Sequence, residues 1–325
     1  MIFIRSAEII SFLGSLIGLF SQNHSIPKGW NKAGVGENHY IFDNINVTSC
    51  EIVQKEKPMF AKINHVAMMS TNYAMLGKFY EVLFGMKTSP NARPQSAVTV
   101  GDGYVGLNIN PRRPGRPGGL DHFGVQVEDV DKVFDRMGKK YPEVNWLKRP
   151  GNRPFAGITT HDPDGNIFDL SQKSMENRKD IYADGEWDQP RHVSHFALRT
   201  LNPEKCAEFY CDVLELSLAN REEGDENYYV TDGRMTVVLA PWDITNYANT
   251  GISRSGPDHF GFKVESIGAF KDSQNAMIER NQNLTPPGVG IGPEGKARLE
   301  MFEKNAPYAQ HFLSDLDNVL LAVSE

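Results

Sequence analysis

Ile63-Asn64-His65-Val66-Ala67, followed by Phe79-Tyr80-Glu81-Val82-Leu83, is repeated within the same chain. The second copy reads Val193-Ser194-His195-Phe196-Ala197, followed by Phe209-Tyr210-Cys211-Asp212-Val213-Leu214. The offset is 195 − 65 = 130, and 209 − 79 = 130 as well. It persists through Gly101-Asp102-Gly103, matched by Thr231-Asp232-Gly233, and through Pro111, matched by Pro241. Leu120-Asp121-His122-Phe123-Gly124 then recurs as Pro257-Asp258-His259-Phe260-Gly261, at 259 − 122 = 137. A register held this long without a gap marks one structural unit that was duplicated. Each copy opens on a histidine, which points to a metal site.

Working outward, each repeat reads as strand, helix, then strands. Lys62 to Met68 is a short apolar-rich strand. Ser70 or Thr71 is the expected helix cap. Leu76, Phe79, Tyr80, Leu83 and Phe84 lie on one face of the helix, and Gly85 suits its C-terminus. Ala97 to Val100 and Tyr104 to Asn110 read as strands around the Gly101-Asp102-Gly103 turn. A second module has a strand from Gly124 to Val127 and a helix capped by Asp129. Strands follow near 144–148, 155–160 and 166–171, with Asp162-Pro163-Asp164-Gly165 as a tight turn. Modules three and four run over about 191–241 and 256–325. A single βαβββ module exposes a sheet face that it cannot bury, whereas two side by side form a curved sheet around a pocket. The expected fold is therefore α+β: four βαβββ modules in two paired domains, each a curved mixed sheet enclosing a pocket.

The expected boundaries are 59–175 for the first domain, 176–190 for a charged, aperiodic linker, and 191–325 for the second domain. Residues 1–58 do not join the repeat and form an N-terminal extension. Ile9 to Phe20 is too short to span a membrane. Its flanks fit an export signal poorly, and export applies only if residues 1–20 are a genuine signal. The Arg112-Arg113-Pro114-Gly115-Arg116-Pro117-Gly118-Gly119 stretch joins modules one and two, as a solvated connector or a basic lid.

Composition narrows the partners. The chain has 325 residues and a net charge of −7, which argues against a nucleic-acid surface. Three cysteines give neither a disulfide framework nor a zinc-type pair. The expected partner is a small-molecule substrate, in a cytoplasmic protein that binds neither nucleic acid nor membrane. A homo-oligomer is compatible with this reading.

Over about 60–325 the chain resembles the vicinal oxygen chelate superfamily. That group includes glyoxalase I, extradiol ring-cleaving dioxygenases, fosfomycin-resistance proteins and bleomycin-resistance binders. The resemblance rests on opening strands that carry His65, His122, His195 and His259, on the Phe-Tyr-x-x-x-Leu helices, and on Asp162-Pro163-Asp164-Gly165-Asn166 before a closing strand. It implies metal ligands from the opening strands and from the last strand of the second module, here His65, His122 and Asp169. In the second half the closing strand is offset by 315 − 162 = 153, which sets Ala322 where Asp169 stands. That half keeps two histidines and loses the carboxylate, so it reads as degenerate.

Two histidines and one carboxylate leave coordination positions open, the pattern of non-haem Fe(II) oxygenases. Glyoxalase I adds a fourth ligand from the last strand of module one, where this chain offers only Asn108. The resemblance therefore implies an oxidoreductase of extradiol-dioxygenase type using Fe(II) or Mn(II). The alternatives are a glyoxalase-type lyase or isomerase using Ni(II) or Zn(II), and a metal-free binder of bleomycin-resistance type. Thr159 departs from the extradiol pattern, which has a tyrosine there. His161 is the candidate acid–base residue, and Arg149 and Arg153 are candidates for binding an anionic substrate group.

Overall fold

The computed structural model describes residues 59–88, 97–150, 157–173 and 189–325. The first half forms β1 (Ala61–Ser70), α1 (Tyr73–Phe84), β2 (Lys87–Thr88), β3 (Val98–Gly101) and β4 (Gly106–Pro111). It continues with β5 (Gly119–Val127), α2 (Val130–Lys140), β6 (Trp146–Lys148), β7 (Ile158–His161) and β8 (Ile167–Gln172). The second half forms β9 (His192–Thr200), α3 (Pro203–Leu214), β10 (Ser217–Leu218), β11 (Tyr228–Thr231) and β12 (Thr236–Pro241). Then come β13 (Gly256–Lys263), α4 (Ile267–Arg280), α5 (Gly292–Asn305), β14 (His311–Ser314) and β15 (Leu320–Ser324). The first sheet has strand order β2-β3-β4-β1-β5-β8-β7-β6 and the second β10-β11-β12-β9-β13-β15-β14. In both, the two histidine strands pair antiparallel at the centre and each is flanked by a parallel strand. The α+β architecture of mixed sheets follows the sequence reading.

The helices explain why two copies are needed. The apolar face of α1, with Leu76, Phe79, Tyr80, Leu83 and Phe84, is buried. It packs not only on its own sheet but on the other: Phe84 stacks on Phe262 of β13 at 3.7 Å between ring centroids. Reciprocally, Tyr210 of α3 lies against Phe123 and Phe168 of the first sheet, at 5.9 and 5.6 Å. The result is one continuous apolar core that draws on both sheets. Each buried aromatic contributes about 1.5–3 kcal/mol of transfer free energy, and neither half would retain this alone.

Four turn carboxylates cross the same boundary in matched pairs. Asp162 accepts from the Asp164 and Asn166 backbone N–H groups and from the Tyr210 hydroxyl. Its copy, Asp315, accepts from the Asp317 and Val319 N–H groups and from the Tyr80 hydroxyl at 2.7 Å. Asp102 binds its own turn and accepts from Val193 N–H at 2.8 Å. Asp232 does the same with Ile63 N–H, also at 2.8 Å. The turns that follow Asp162 and Asp315 need left-handed backbone, and Gly165 (φ 85°) and Asn318 (φ 64°) supply it.

The structure differs from the sequence reading in three places, the first being that module four closes with two strands where three were expected. The N-cap of α1 is Asn72, with no side-chain cap bond, while Ser70 Oγ instead accepts from Asn72 N–H. Module four carries an unanticipated helix, α5, inserted before its closing strands. The residues 1–58 extension and most of the 176–190 segment lie outside the described residues. Among the described residues, no helix is long and apolar enough to cross a membrane.

Burial pushes the Asp315 carboxyl up to about 6 against the hydrogen bonds it accepts. A raised folded-state pKa stabilises below the unfolded value and the benefit fades as pH rises through about 6. Asp315→Asn carries no such titration. The stability gap between wild type and Asp315→Asn should therefore narrow by roughly 3 kcal/mol between pH 4 and pH 7. Urea unfolding of both proteins across that range measures it, and a gap that widens would contradict this account.

Candidate metal centre

The first site begins with a kink in β1. Pairing with β5 slips between Ile63 and His65, leaving Asn64 as the extra residue of a β-bulge. Beyond it Val66 and Met68 point into the shared core, and His65 faces the opposite side of the sheet. His65 pairs with Gly124, which pairs in turn with Asp169 on β8. A Cβ on Gly124 would fall 1.8 Å from His65 Cε1, so only glycine lets the imidazole lie across the strand.

His65, His122 and Asp169 converge, with one ligand atom from each lying within 4.8 Å of the others. His122 Nε2 lies 3.1 Å from Asp169 Oδ2, and the two imidazoles are nearly perpendicular at 5.7 Å. Each is steadied from behind. His65 Nδ1 meets Asn64 Oδ1 at 2.8 Å, and His122 Nδ1 donates to Asp121 Oδ2 at 2.7 Å. Thr159 Oγ1 donates to Asp169 Oδ1 at 2.5 Å. Asp121 also accepts from Arg116, which gives the basic connector a structural task.

The electrostatics divide the two histidines. Burial, reinforced by His122, lowers the pKa of His65 to about 3, so its ring is neutral. Burial would also lower His122, but hydrogen bonds to Asp121 and Asp169 and the charge of both carboxylates raise it to about 9. Burial pushes Asp169 up, yet the bond and charge of His122 prevail and hold it at about 2. A proton therefore sits at the centre of the cluster where a cation would be favoured.

The remaining sequence candidates fall elsewhere. His161 lies on β7, where its Nδ1 donates to the Asp162 carbonyl and its Nε2 accepts from Asn145 N–H. Asn108 lies on β4, across Ala67 from His122. Arg149 is half-buried and its backbone N–H bonds the Gly157 carbonyl at the end of β6. Arg153 lies outside the described residues. Sequence reasoning missed the supporting roles of Asn64, Asp121, Thr159 and Gly124. For Asp121 and Gly124 the signal was present, since Asp258 and Gly261 repeat them ahead of and behind His259.

The second half repeats the frame and changes the content. Ser194 is bulged, His195 pairs with Gly261, and Gly261 pairs with Ala322, in the register of Gly124 with Asp169. The expected loss of the carboxylate is thus found at the paired position. Helix α5 covers the spot: Phe302 packs against Ala322 and sits 4.8 Å from the His259 ring. Asp258 bonds His259 Nδ1 as Asp121 bonds His122, but it also accepts from Arg199 and, at 2.6 Å, from Arg298 of α5. Burial opposes its charge, yet Arg298, His259 and Arg199 hold it well below the usual carboxylate range. The step in offset from 137 to 153 is the sequence trace of this inserted helix.

Fold and site together define a protein with two related mixed-sheet domains and, among the described residues, one convergent His-His-Asp cluster. Residues 62–170 match the sequence profile of the Glyoxalase/Bleomycin resistance protein/Dioxygenase superfamily, which the first half of the chain thereby resembles. No curated protein matches it in sequence. Solved structures share the fold at low identity. A Mn(II)-bound glyoxalase from Novosphingobium aromaticivorans is 12% identical, with TM-score 0.55 and 82% of each chain covered. A 4-hydroxymandelate synthase mutant from Streptomyces coelicolor is 15% identical, with TM-score 0.53, covering 81% of this chain and 92% of that one. An extradiol ring-cleaving dioxygenase from B. fuscum is 15% identical, with TM-score 0.51, covering 82% and 72%.

Gly124→Ala should cost about 1–3 kcal/mol through the forced shift of His65 and should abolish high-affinity metal uptake. Gly261→Ala should cost similar stability and leave metal uptake intact. Thermal unfolding with elemental analysis of both variants checks this, and equal metal loss in the two would contradict it.

Proposed function

We propose that this chain is a metal-dependent enzyme whose first half binds one divalent ion, Fe(II) or Mn(II), through His65, His122 and Asp169. The observation that carries the reading is the convergence of these three side chains, each held by a separate partner. The donor set suits such an ion: His65 is neutral, Asp169 is ionised, and His122 gives up its Nε2 proton while Asp121 keeps the Nδ1–H. Histidine ligands braced by a carboxylate in this way are the common arrangement in metal sites. When bound, the ion supplies a Lewis acid for vicinal substrate oxygens and, with three protein ligands, open positions for them.

The chain's own residues set what the site can do. Thr159 fixes Asp169 in place of offering a phenol to substrate, so the ligand carboxylate is positioned at the expense of a proton-transfer group. Asn108 adds no fourth carboxylate, which favours an open site of extradiol-dioxygenase type over a glyoxalase-type lyase. Substrate is a small oxygenated molecule; His161 on β7 has both ring nitrogens committed to Asp162 and Asn145 and is not assigned the acid–base step.

Purified chain should bind about one Fe(II) or Mn(II), and His65→Ala or His122→Ala should lose it while His259→Ala keeps it. Asp121→Asn should weaken binding about 10–100-fold. Two tight ions per chain, or retention in His65→Ala, would overturn the assignment. Oxygen consumption with catechols separates the two enzyme readings: uptake supports the dioxygenase, and metal-dependent turnover of an α-hydroxy thioether substrate without oxygen uptake supports the lyase. Failure of the wild type to take up any of Fe(II), Mn(II), Ni(II) or Zn(II) would leave the metal-free binder.

A further inference from the structure

The second half is closed to a metal, yet its sheet face is not filled. A cavity of about 830 Å³ opens there, lined by His195, Tyr229 and Tyr308 among others. That volume lies within the range of small-molecule sites, about 300–1,000 Å³. Helix α5 creates the arrangement: Phe302 fills the position over Ala322 and His259, and the chain leaving the helix brings Tyr308 over His195.

The inner wall is aromatic and geometrically specific. The Tyr308 ring stands perpendicular to His195 at 5.0 Å between centroids, and Tyr229 meets Tyr308 at 6.1 Å and 67°. Such a corner accepts a further flat ring edge-to-face or offset-stacked. Its polar groups are mostly committed. The Tyr229 hydroxyl donates to Asp225 and accepts from Asn227, and His195 Nδ1 meets Ser194 Oγ at 3.0 Å. Among the described residues two are not: the Tyr308 hydroxyl and, of the buried groups, His195 Nε2. This side chain is 3% exposed, and its Nε2 has no hydrogen-bond partner among the described residues. Burial keeps the ring neutral, with its pKa well below the ordinary value.

Charge at the rim is balanced. Four carboxylates from residues 222–226 face four Arg and Lys side chains. Lys304 is paired with Glu226, and Arg221 is spent on the Asp225 and Asn227 carbonyls. A ligand with a full charge would gain little from such a lining, whereas a neutral aromatic ring with one hydrogen-bonding group matches it.

We propose that the second half is a metal-free binding site for a small, uncharged hydroxyl- or nitrogen-bearing aromatic molecule, held in the Tyr229–Tyr308 corner with His195 as its polar contact. The duplication would then have divided the labour, with metal chemistry in one half and recognition of an aromatic ligand in the other. This site does not depend on the metal assignment of the first half.

The test is calorimetric titration of the full chain, stripped of metal with EDTA, using 2-naphthol as probe. One saturable site is expected. Tyr308→Ala and His195→Phe should each weaken binding about 10-fold or more, and His65→Ala should leave it unchanged. The anion 2-naphthoate should bind at least about 10-fold more weakly than 2-naphthol. Ala219→Trp, which places bulk in the cavity beside Tyr229 while leaving the corner side chains in place, should block binding and serves if a corner variant does not fold. No saturable binding of 2-naphthol, binding unaffected by Ala219→Trp, or loss in His65→Ala with retention in Tyr308→Ala would overturn the proposal. So would tighter binding of the naphthoate.

Discussion

The structure depends on four turn carboxylates, three buried and Asp232 half-buried, that bind their own turn with one oxygen and the other half of the molecule with the second. Asp102 and Asp232 take the backbone N–H of Val193 and Ile63, at the start of the opposite histidine strand. Asp162 and Asp315 take the hydroxyls of Tyr210 and Tyr80 from the opposite helix. A buried carboxylate is costly unless each oxygen finds donors, so these residues tolerate only one mutual placement of the halves. The apolar core supplies most of the driving force, but apolar contact is non-directional. The crossed bonds are what fix the register between β1 and β9, and with it the positions of His65 and His195.

From that common frame the two halves depart through charge. In the first, Asp121 orients His122, and the cluster holds a proton between carboxylates. In the second, the same carboxylate, Asp258, keeps its histidine but gains two guanidinium groups. Arg298 arrives on an inserted helix and places its positive charge beside Asp258, where the sheet carries Ala322 in the position of Asp169. Without the inserted helix, Asp258 and His259 would lack the Arg298 and Phe302 contacts. Arg298 pairs the charge, and Phe302 replaces polar volume with apolar contact. The second half is therefore a rebuilt site, with its own interior, rather than a decayed one.

The first site shows how little of its precision comes from the three clustered side chains themselves. Long-range order comes from the Asn64 bulge, which turns His65 away from the core, and from Gly124, which clears the surface it lies on. Short-range order comes from Asn64, Asp121 and Thr159. Thr159 illustrates the exchange: the residue that could have been a phenol facing substrate is a hydroxyl committed to Asp169. Such an arrangement fixes the Asp169 carboxylate and commits the Thr159 proton to it.

Much of this was legible in the chain. The 130-residue offset disclosed the duplication, and the period of apolar residues disclosed α1. The positive φ at Asn318 was foreseeable from its alignment with Gly165, because few residues other than glycine and asparagine adopt that backbone readily. The loss of the carboxylate at Ala322 could be counted out residue by residue, because strand pairing preserves spacing. What sequence could not decide was anything set by contact between distant segments. The α1 cap moved to Asn72, and helix α5 appeared only as a change in offset from 137 to 153. Spacing alone says nothing of where an insertion folds back. That Phe302 and Arg298 occupy the second site, that Tyr80 reaches Asp315 rather than Asp162, and that a cavity survives beside His195 were decided by packing. Those outcomes turn on complementary shape and charge between surfaces that a linear chain does not place side by side.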